Sequence, residues 1–491
     1  MSRRLLRGLA LCLVLAIAGC SYPTRNDAIV AGQRPIYDWE ALSKGELQDT
    51  LVIFTASGGG TRATALAMSV LQAMEKVKFA SGSSLADEID IMSSVSGGSV
   101  TAGYFALYGT AGFPTLERDF IRRDGITALL AAGLNPVGLA ELATPSKERI
   151  DLLINYLDRQ LFRQNETFEK LIERKKRPYL ILNAADMVEG TPFPFTQYTM
   201  DLLCSDLTKM KISTAVAASA AFPVALSPVT LKNYAKCDAK KPPLWIKAAA
   251  DTSWYINPPR VVWGRTAQAY ASGAKEYIHL LDGGIADNLG VSEPFRLLTT
   301  DDVSPRFKQD IARGQIKKLI FVMVNARSFP PSDLDKSQAT PGIIDMFGAT
   351  VSAAIDRASF GSSERIRTLL SASFRGIADD LQANIEKIPP VARADALRQV
   401  ANFRAIAANT QLIAIDFDAI PDTDCRTAFH SIATSWTLKG GEIDGLKAMG
   451  EALFAASPDY GKAMKALGVQ PPAGTFPTVG QACDVMEKRG D

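Results

Sequence analysis

Histidine is almost missing from this chain: His279 and His430 are the 2 histidines among 491 residues. That scarcity makes a zinc site unexpected, and no pair of the 6 cysteines has metal-ligand spacing either. It also narrows nucleophilic catalysis, because the usual partner of a reactive serine is an imidazole supported by an acid. An excess of one charge is lacking too, since 54 Lys and Arg stand against 52 Asp and Glu. A nucleic-acid footprint needs a basic face or stripe, so nucleic acid is not expected as a partner. The apolar run Leu9–Ile17 is too short to span a bilayer well. What remains is 47% hydrophobic and 22% charged, the balance of a folded globular protein with room for a large core.

The first residues read as a targeting segment. Arg3, Arg4 and Arg7 form a basic start, Leu9–Ile17 the apolar centre, and small residues Ala18-Gly19 precede Cys20. Ile17-Ala18-Gly19-Cys20 resembles a bacterial lipobox; a plain secretory signal with an incidental cysteine is the competing reading. The resemblance implies that residues 1–19 are a lipoprotein signal peptide, that Cys20 carries the lipid, and that Ser21 permits sorting to the outer membrane. The expected location is therefore the bacterial cell envelope, with a soluble body held by an acylated N-terminus and a polar tether over 20–47. Of the other cysteines outside this segment, Cys204–Cys237 and Cys425–Cys483 are the simplest disulfide pairs in an oxidising compartment.

Leu51-Val52-Ile53-Phe54 reads as a buried strand, followed by Ser57-Gly58-Gly59-Gly60-Thr61-Arg62 and a helix to about Lys78. A strand, a glycine turn and a helix leave free backbone N–H groups where an anion can sit. A nucleotide loop is excluded, for there is no Gly-Lys-Ser/Thr ending and no GxGxxG spacing. Ile89–Met92 reads as the return strand of a parallel βαβ unit, opening at the same sheet edge. It leads into Ser94-Val95-Ser96-Gly97-Gly98, where small residues flank Ser96 as in a nucleophile elbow, and then a helix over Gly97–Tyr108. Residues 115–176 read as a helical insertion broken at Gly133–Val137, with a solvated charge run over Glu173–Arg177. Tyr179–Asn183, Tyr277–Leu281, Leu319–Val324 and Leu412–Phe417 read as further strands, and Ile212–Phe222 as a small-residue helix. Trp245, Trp254 and Trp263 read as core, interface or membrane-edge residues, with core packing the default. Residues 342–409 and 443–467 are helical by pattern.

Tyr277–Leu281 ends in Asp282-Gly283-Gly284. His279, three residues earlier on that strand, faces the other side, and His430 has no recognisable catalytic context. The simplest base for Ser96 is therefore Asp282, accepting the hydroxyl proton and returning it. The amides of Gly58, Gly59 and Gly60 would hold the oxyanion.

Taken in order, the glycine turn, the Ser96 elbow and Asp282-Gly283-Gly284 resemble the patatin-like phospholipase family over about residues 50–325. Ala217-Ala218-Ser219-Ala220-Ala221-Phe222-Pro223 and Asp287-Asn288-Leu289-Gly290 add to that likeness. Ser94 and Ala63 stand where the family commonly has glycine. The resemblance implies an α/β fold, a three-layer α/β/α sandwich with a mostly parallel central sheet and helical insertions. It implies Ser96 as nucleophile, Asp282 as its partner, Gly58, Gly59 and Gly60 at the oxyanion hole, and Arg62 beside it as phosphate or oxyanion support. No metal or other cofactor enters the implied chemistry. The expected core spans 48–330, with 331–491 as a C-terminal helical and α/β extension packed on it. The expected activity is hydrolysis of acyl esters of phospholipids or lysophospholipids; acyl transfer to an alcohol, or a non-catalytic envelope lipoprotein, are the alternatives.

Overall fold

The computed structural model describes residues 24–488 apart from 34–35, 40–41, 43–46, 126, 128–147, 164, 224, 235–242, 256, 303, 305, 332–333, 337 and 472–473. The expected leader, Cys20, Gly133–Val137 and Cys237 lie outside these residues.

Thr50–Ala56 (β1) is buried at every position, as a parallel strand covered on both faces must be. Gly60–Lys76 (α1) follows, then Ile91–Val95 (β2) and Gly97–Tyr108 (α2). Tyr179–Asp186 (β3) and the short Pro192–Pro194 (β4) come next, then Ile212–Ser219 (α3) and Val229–Lys232 (β5). Tyr277–Asp282 (β6), Lys318–Asn325 (β7), Ile343–Glu364 (α4), Thr410–Asp416 (β8) and Gly440–Ala456 (α5) complete the elements that matter here. One eight-stranded sheet runs β8-β7-β1-β2-β3-β6-β5, with β4 also paired to β3. It is a mostly parallel central sheet flanked by helices, as the sequence implies.

Direction within the sheet places the site. Strands β8 to β3 are parallel, and β6 joins β3 antiparallel. β3 outlasts β2: Val95 pairs with Asn183, leaving Ala184–Asp186 to extend past the carboxyl end of β2. β6 pairs with those three residues alone, Ala184 meeting Asp282. An antiparallel strand thus delivers its last residue to the edge where the parallel strands deliver theirs.

Packing adds close approaches. α1 is buried almost throughout and lies against α5, where a Cβ on Gly450 would come within 2.6 Å of Ser69 Oγ. Cys425 and Cys483 form the expected disulfide. Cys204 is disulfide-bonded as well.

Three expectations change. β2 starts at Ile91 and runs through Ser93 and Ser94, because Ser93 Oγ donates to Gly290 O (2.6 Å) and Ser94 Oγ meets Ser99 Oγ (3.1 Å), so neither hydroxyl is stranded. The charge run 173–177 is not solvated throughout, since the Arg177 side chain is 5% exposed and pairs with Glu88 and Asp90. Trp263 is buried under the Arg296 guanidinium (4.2 Å), whereas Trp254 is exposed.

Candidate active site

Ser96 occupies the one-residue turn between β2 and α2 with φ 50° and ψ −120°, a backbone region that costs a non-glycine residue about 1–3 kcal/mol. Its surroundings hold it there. A Cβ on Gly98 would come within 2.6 Å of Ser57 O and 2.7 Å of Ala56 O, so the second position after the serine has no room for a side chain. The Ser96 amide donates to Ser219 Oγ (2.8 Å), and Ser219 Oγ donates to Asn183 O (2.6 Å). Ser219's proton being used there, Ser99 is the donor in the 2.9 Å contact between the two hydroxyls.

Asp282 reaches the same point from β6. Ser96 Oγ donates to Asp282 Oδ2 at 2.8 Å, and the Gly284 amide donates to Asp282 Oδ1 at 2.8 Å. Burial pushes the Asp282 carboxyl up to about 6, against the hydrogen bonds from Gly284 and Ser96 that favour its anion. The backbone around it is fixed by the residues after α3: Asp282 N–H donates to Ala221 O (3.0 Å) and Gly283 N–H to Ser219 O (3.1 Å). Ser219 therefore grips the nucleophile with its side chain and the aspartate turn with its carbonyl.

The glycine turn closes over the serine, a Cβ on Gly58 coming within 3.2 Å of Ser96 Cβ. Its three amides are not equivalent. Gly58 N–H is held by Asn288, through both its carbonyl O and its Oδ1 at 3.1 Å. Gly59 (φ 140°) and Gly60 (φ 58°) open α1, and their amides donate to no other described group. These two N–H groups, at a helix N-terminus, are the ones left for a developing oxyanion.

Arg62 is not free beside them. Its Nε donates to Ala326 O (2.8 Å), its Nη1 to Ile432 O (2.7 Å) and its Nη2 to Thr434 Oγ1 (3.0 Å). Burial lowers its guanidinium to about 10, opposed by Asp356. Together with Thr61 N–H on Ser435 O (2.8 Å), these bonds moor the glycine turn to Ala326 and to residues 432–435, so Arg62 anchors the turn from a buried position beside it.

The histidines stand elsewhere. His279 Nδ1 meets Thr230 Oγ1 (2.9 Å), and His430 Nε2 meets Asp418 Oδ1 (2.9 Å). Side chains that sequence reading left without a role at the site are Ser99, Asn183, Ser219 and Asn288. Asn288 Nδ2 donates to Ser359 Oγ (2.8 Å) and Ser362 Oγ to Asp287 Oδ1 (2.8 Å), latching α4 to the turn after Asp282. Among the described residues no His, Cys, Asp and Glu cluster fits a metal ion, and no helix is long and apolar enough to cross a membrane.

Comparison with known proteins bears on the same residues. Residues 55–295, which carry the glycine turn, Ser96, Asp282 and Asn288, match the family model described as patatin-like phospholipase. No curated relative matches the chain. Among solved structures it is similar to human GIVD cytosolic phospholipase A2, with 12% identity, a TM-score of 0.38, and coverage of 90% of this chain and 61% of that one. The chain thus spans less than two thirds of that protein's length.

Proposed function

We propose that the chain is a serine acyl hydrolase cleaving phospholipid or lysophospholipid esters through a Ser96–Asp282 dyad. The observation that carries this reading is the 2.8 Å hydrogen bond from Ser96 Oγ to Asp282 Oδ2, set beside two unengaged amides at the start of α1. Ser96 Oγ attacks the ester carbonyl carbon while its proton passes to Asp282. Gly59 and Gly60 N–H groups receive the oxyanion, a donor of this kind typically contributing about 10²–10³ in rate. Collapse expels the alcohol, protonated by Asp282, and leaves an acyl group on Ser96. Water then attacks, giving its proton to Asp282; fatty acid leaves and Ser96 recovers its hydrogen. A carboxyl lifted to about 6 suits both transfers, since a base works best near the operating pH.

The family match over the site supports a lipid ester in particular. Exposed Ile343, Met346 and Phe347 on α4, the helix latched to Asn288, give acyl chains an apolar approach. In the same proposal Cys20 carries a lipid that keeps the enzyme on the outer membrane of a bacterial envelope; fractionation of the C20A variant tests that anchor.

Fatty-acid release from glycerophospholipids is expected from the wild type and reduced by at least about 10³-fold in S96A and D282A. A fluorophosphonate probe should label the wild type and not S96A. Undiminished turnover in either variant excludes the dyad.

A further inference from the structure

With its Nε, Nη1 and Nη2 all engaged, Arg62 offers the phosphate of a phospholipid little of its guanidinium. Another place for it lies at the same sheet edge. A cavity of about 390 Å³ is lined by Arg327, Ser359, Phe360, Glu364, Arg367 and Asp418. Asn325 and Asp416, the last residues of β7 and β8, border it too, which puts it where ligands enter open α/β sheets.

Its charges are of both signs, and several are fixed. Arg327 Nη2 pairs with Asp418 Oδ2 (2.9 Å), and its guanidinium lies over the Phe329 ring at 4.6 Å. Arg327 Nε is buried without a hydrogen-bond partner among the described residues. Asp416 is held by Asn325 Nδ2 (2.8 Å), and Asp418 by His430 Nε2 (2.9 Å). A simple anion would meet Arg327 and Arg367 but be repelled by Asp416, Asp418 and Glu364. A dipolar ligand satisfies both sets, and an exposed aromatic face at Phe360 favours an alkylammonium end.

The cavity is also within reach of the dyad. The carboxyl ends of β2 and β7 are separated by two strand spacings, roughly 10 Å. Ser359 lines the cavity and accepts from Asn288 Nδ2 (2.8 Å), and Asn288 Oδ1 accepts from the Gly58 amide (3.1 Å).

We propose that this cavity receives the zwitterionic headgroup of a phospholipid, its phosphodiester on Arg327 and Arg367 and its ammonium between Glu364, Asp418 and Phe360. The assignment rests on the acyl-ester reading of Ser96 for its biological meaning, but the cavity can be probed without turnover. Calorimetry on the full-length S96A chain should show glycerophosphocholine binding more tightly than inorganic phosphate or glycerophosphoglycerol. R367E, a change at an exposed position, should weaken glycerophosphocholine binding about tenfold, the scale of one charge-assisted hydrogen bond. E364Q should weaken glycerophosphocholine more than glycerol phosphate. In the Ser96-intact enzyme, R367E should lower the ratio of kcat/KM for phosphatidylcholine over diacylglycerol by a similar factor. Equal binding of glycerophosphocholine by S96A with and without R367E overturns the proposal, as does equal binding of inorganic phosphate or of the anionic headgroup. Headgroup binding without fatty-acid release from any ester by the wild type upholds the cavity and overturns the hydrolase reading instead.

Discussion

Asp282 combines a catalytic assignment with a stability cost. Its carboxyl lies at about 6 in the folded chain against an ordinary 3.8, because burial disfavours the anion more than Gly284 and Ser96 stabilise it. A carboxyl with a raised folded pKa stabilises the fold only while protonated. That contribution is complete below about pH 4 and is lost as pH rises through about 6. Relative to D282N, the wild type is therefore expected to lose about 3 kcal/mol of stability between those limits and nothing further above them. Denaturant titrations of both proteins at pH 4, 5, 6 and 8 check this; a difference that is flat with pH rules out the raised carboxyl. Acyl hydrolysis should run the other way, falling about tenfold per pH unit below 6 as the base becomes protonated. The meeting of Ser96 with Asp282 was legible in sequence because two small-residue turns and a shortage of histidine converge on them. The carboxyl's displacement was not, since it depends on complete burial, and no local pattern reports that.

Among the elements, α3 shows where pattern reading stops. The small-residue run predicts a helix to Phe222, yet α3 ends at Ser219. Ala221 leaves the helix so that its carbonyl can meet Asp282 N–H, and the Ser219 carbonyl turns to Gly283 N–H. A helix continued past Ser219 would hold those acceptors along its own axis. Removing the Ser219 hydroxyl strands the Ser96 amide, the Ser99 hydroxyl and the Asn183 carbonyl in a buried place. S219A is expected to lower stability by about 1–3 kcal/mol and to slow fluorophosphonate labelling of Ser96 by about tenfold or more, with KM little changed. Labelling at the wild-type rate in folded S219A confines this hydroxyl to packing. The six longer strands were legible from apolar runs, the short β4 and β5 were not, and neither was strand direction. β6 alternates identically whichever way it runs, and only the three-residue overhang of β3 decides its pairing.

At the scale of the whole molecule, the site is gathered from distant parts of the chain. Ser96 and Asp282 are 186 positions apart, and Arg62 reaches Ile432 across 370. β8 supplies the outer strand of the same sheet, and the Cys425–Cys483 bridge ties down the region that moors the glycine turn. Sequence reading placed the expected core before residue 330 because its motifs lie there; the mooring at 432–435 carries no motif and works through two backbone carbonyls and the Thr434 hydroxyl. On refolding with the disulfides intact, helical circular dichroism should return before hydrolysis of a soluble ester does, since local contacts form ahead of long-range ones. Coincident recovery of the two signals would count against this order. The antiparallel arrival of β6 then acquires a temporal meaning. Ser96 and Asp282 enter the sheet edge from opposite directions and become a pair only when nearly all of the chain between them is in place. Until β6 arrives, a partly folded copy holds Ser96 without the carboxylate that accepts its hydrogen bond.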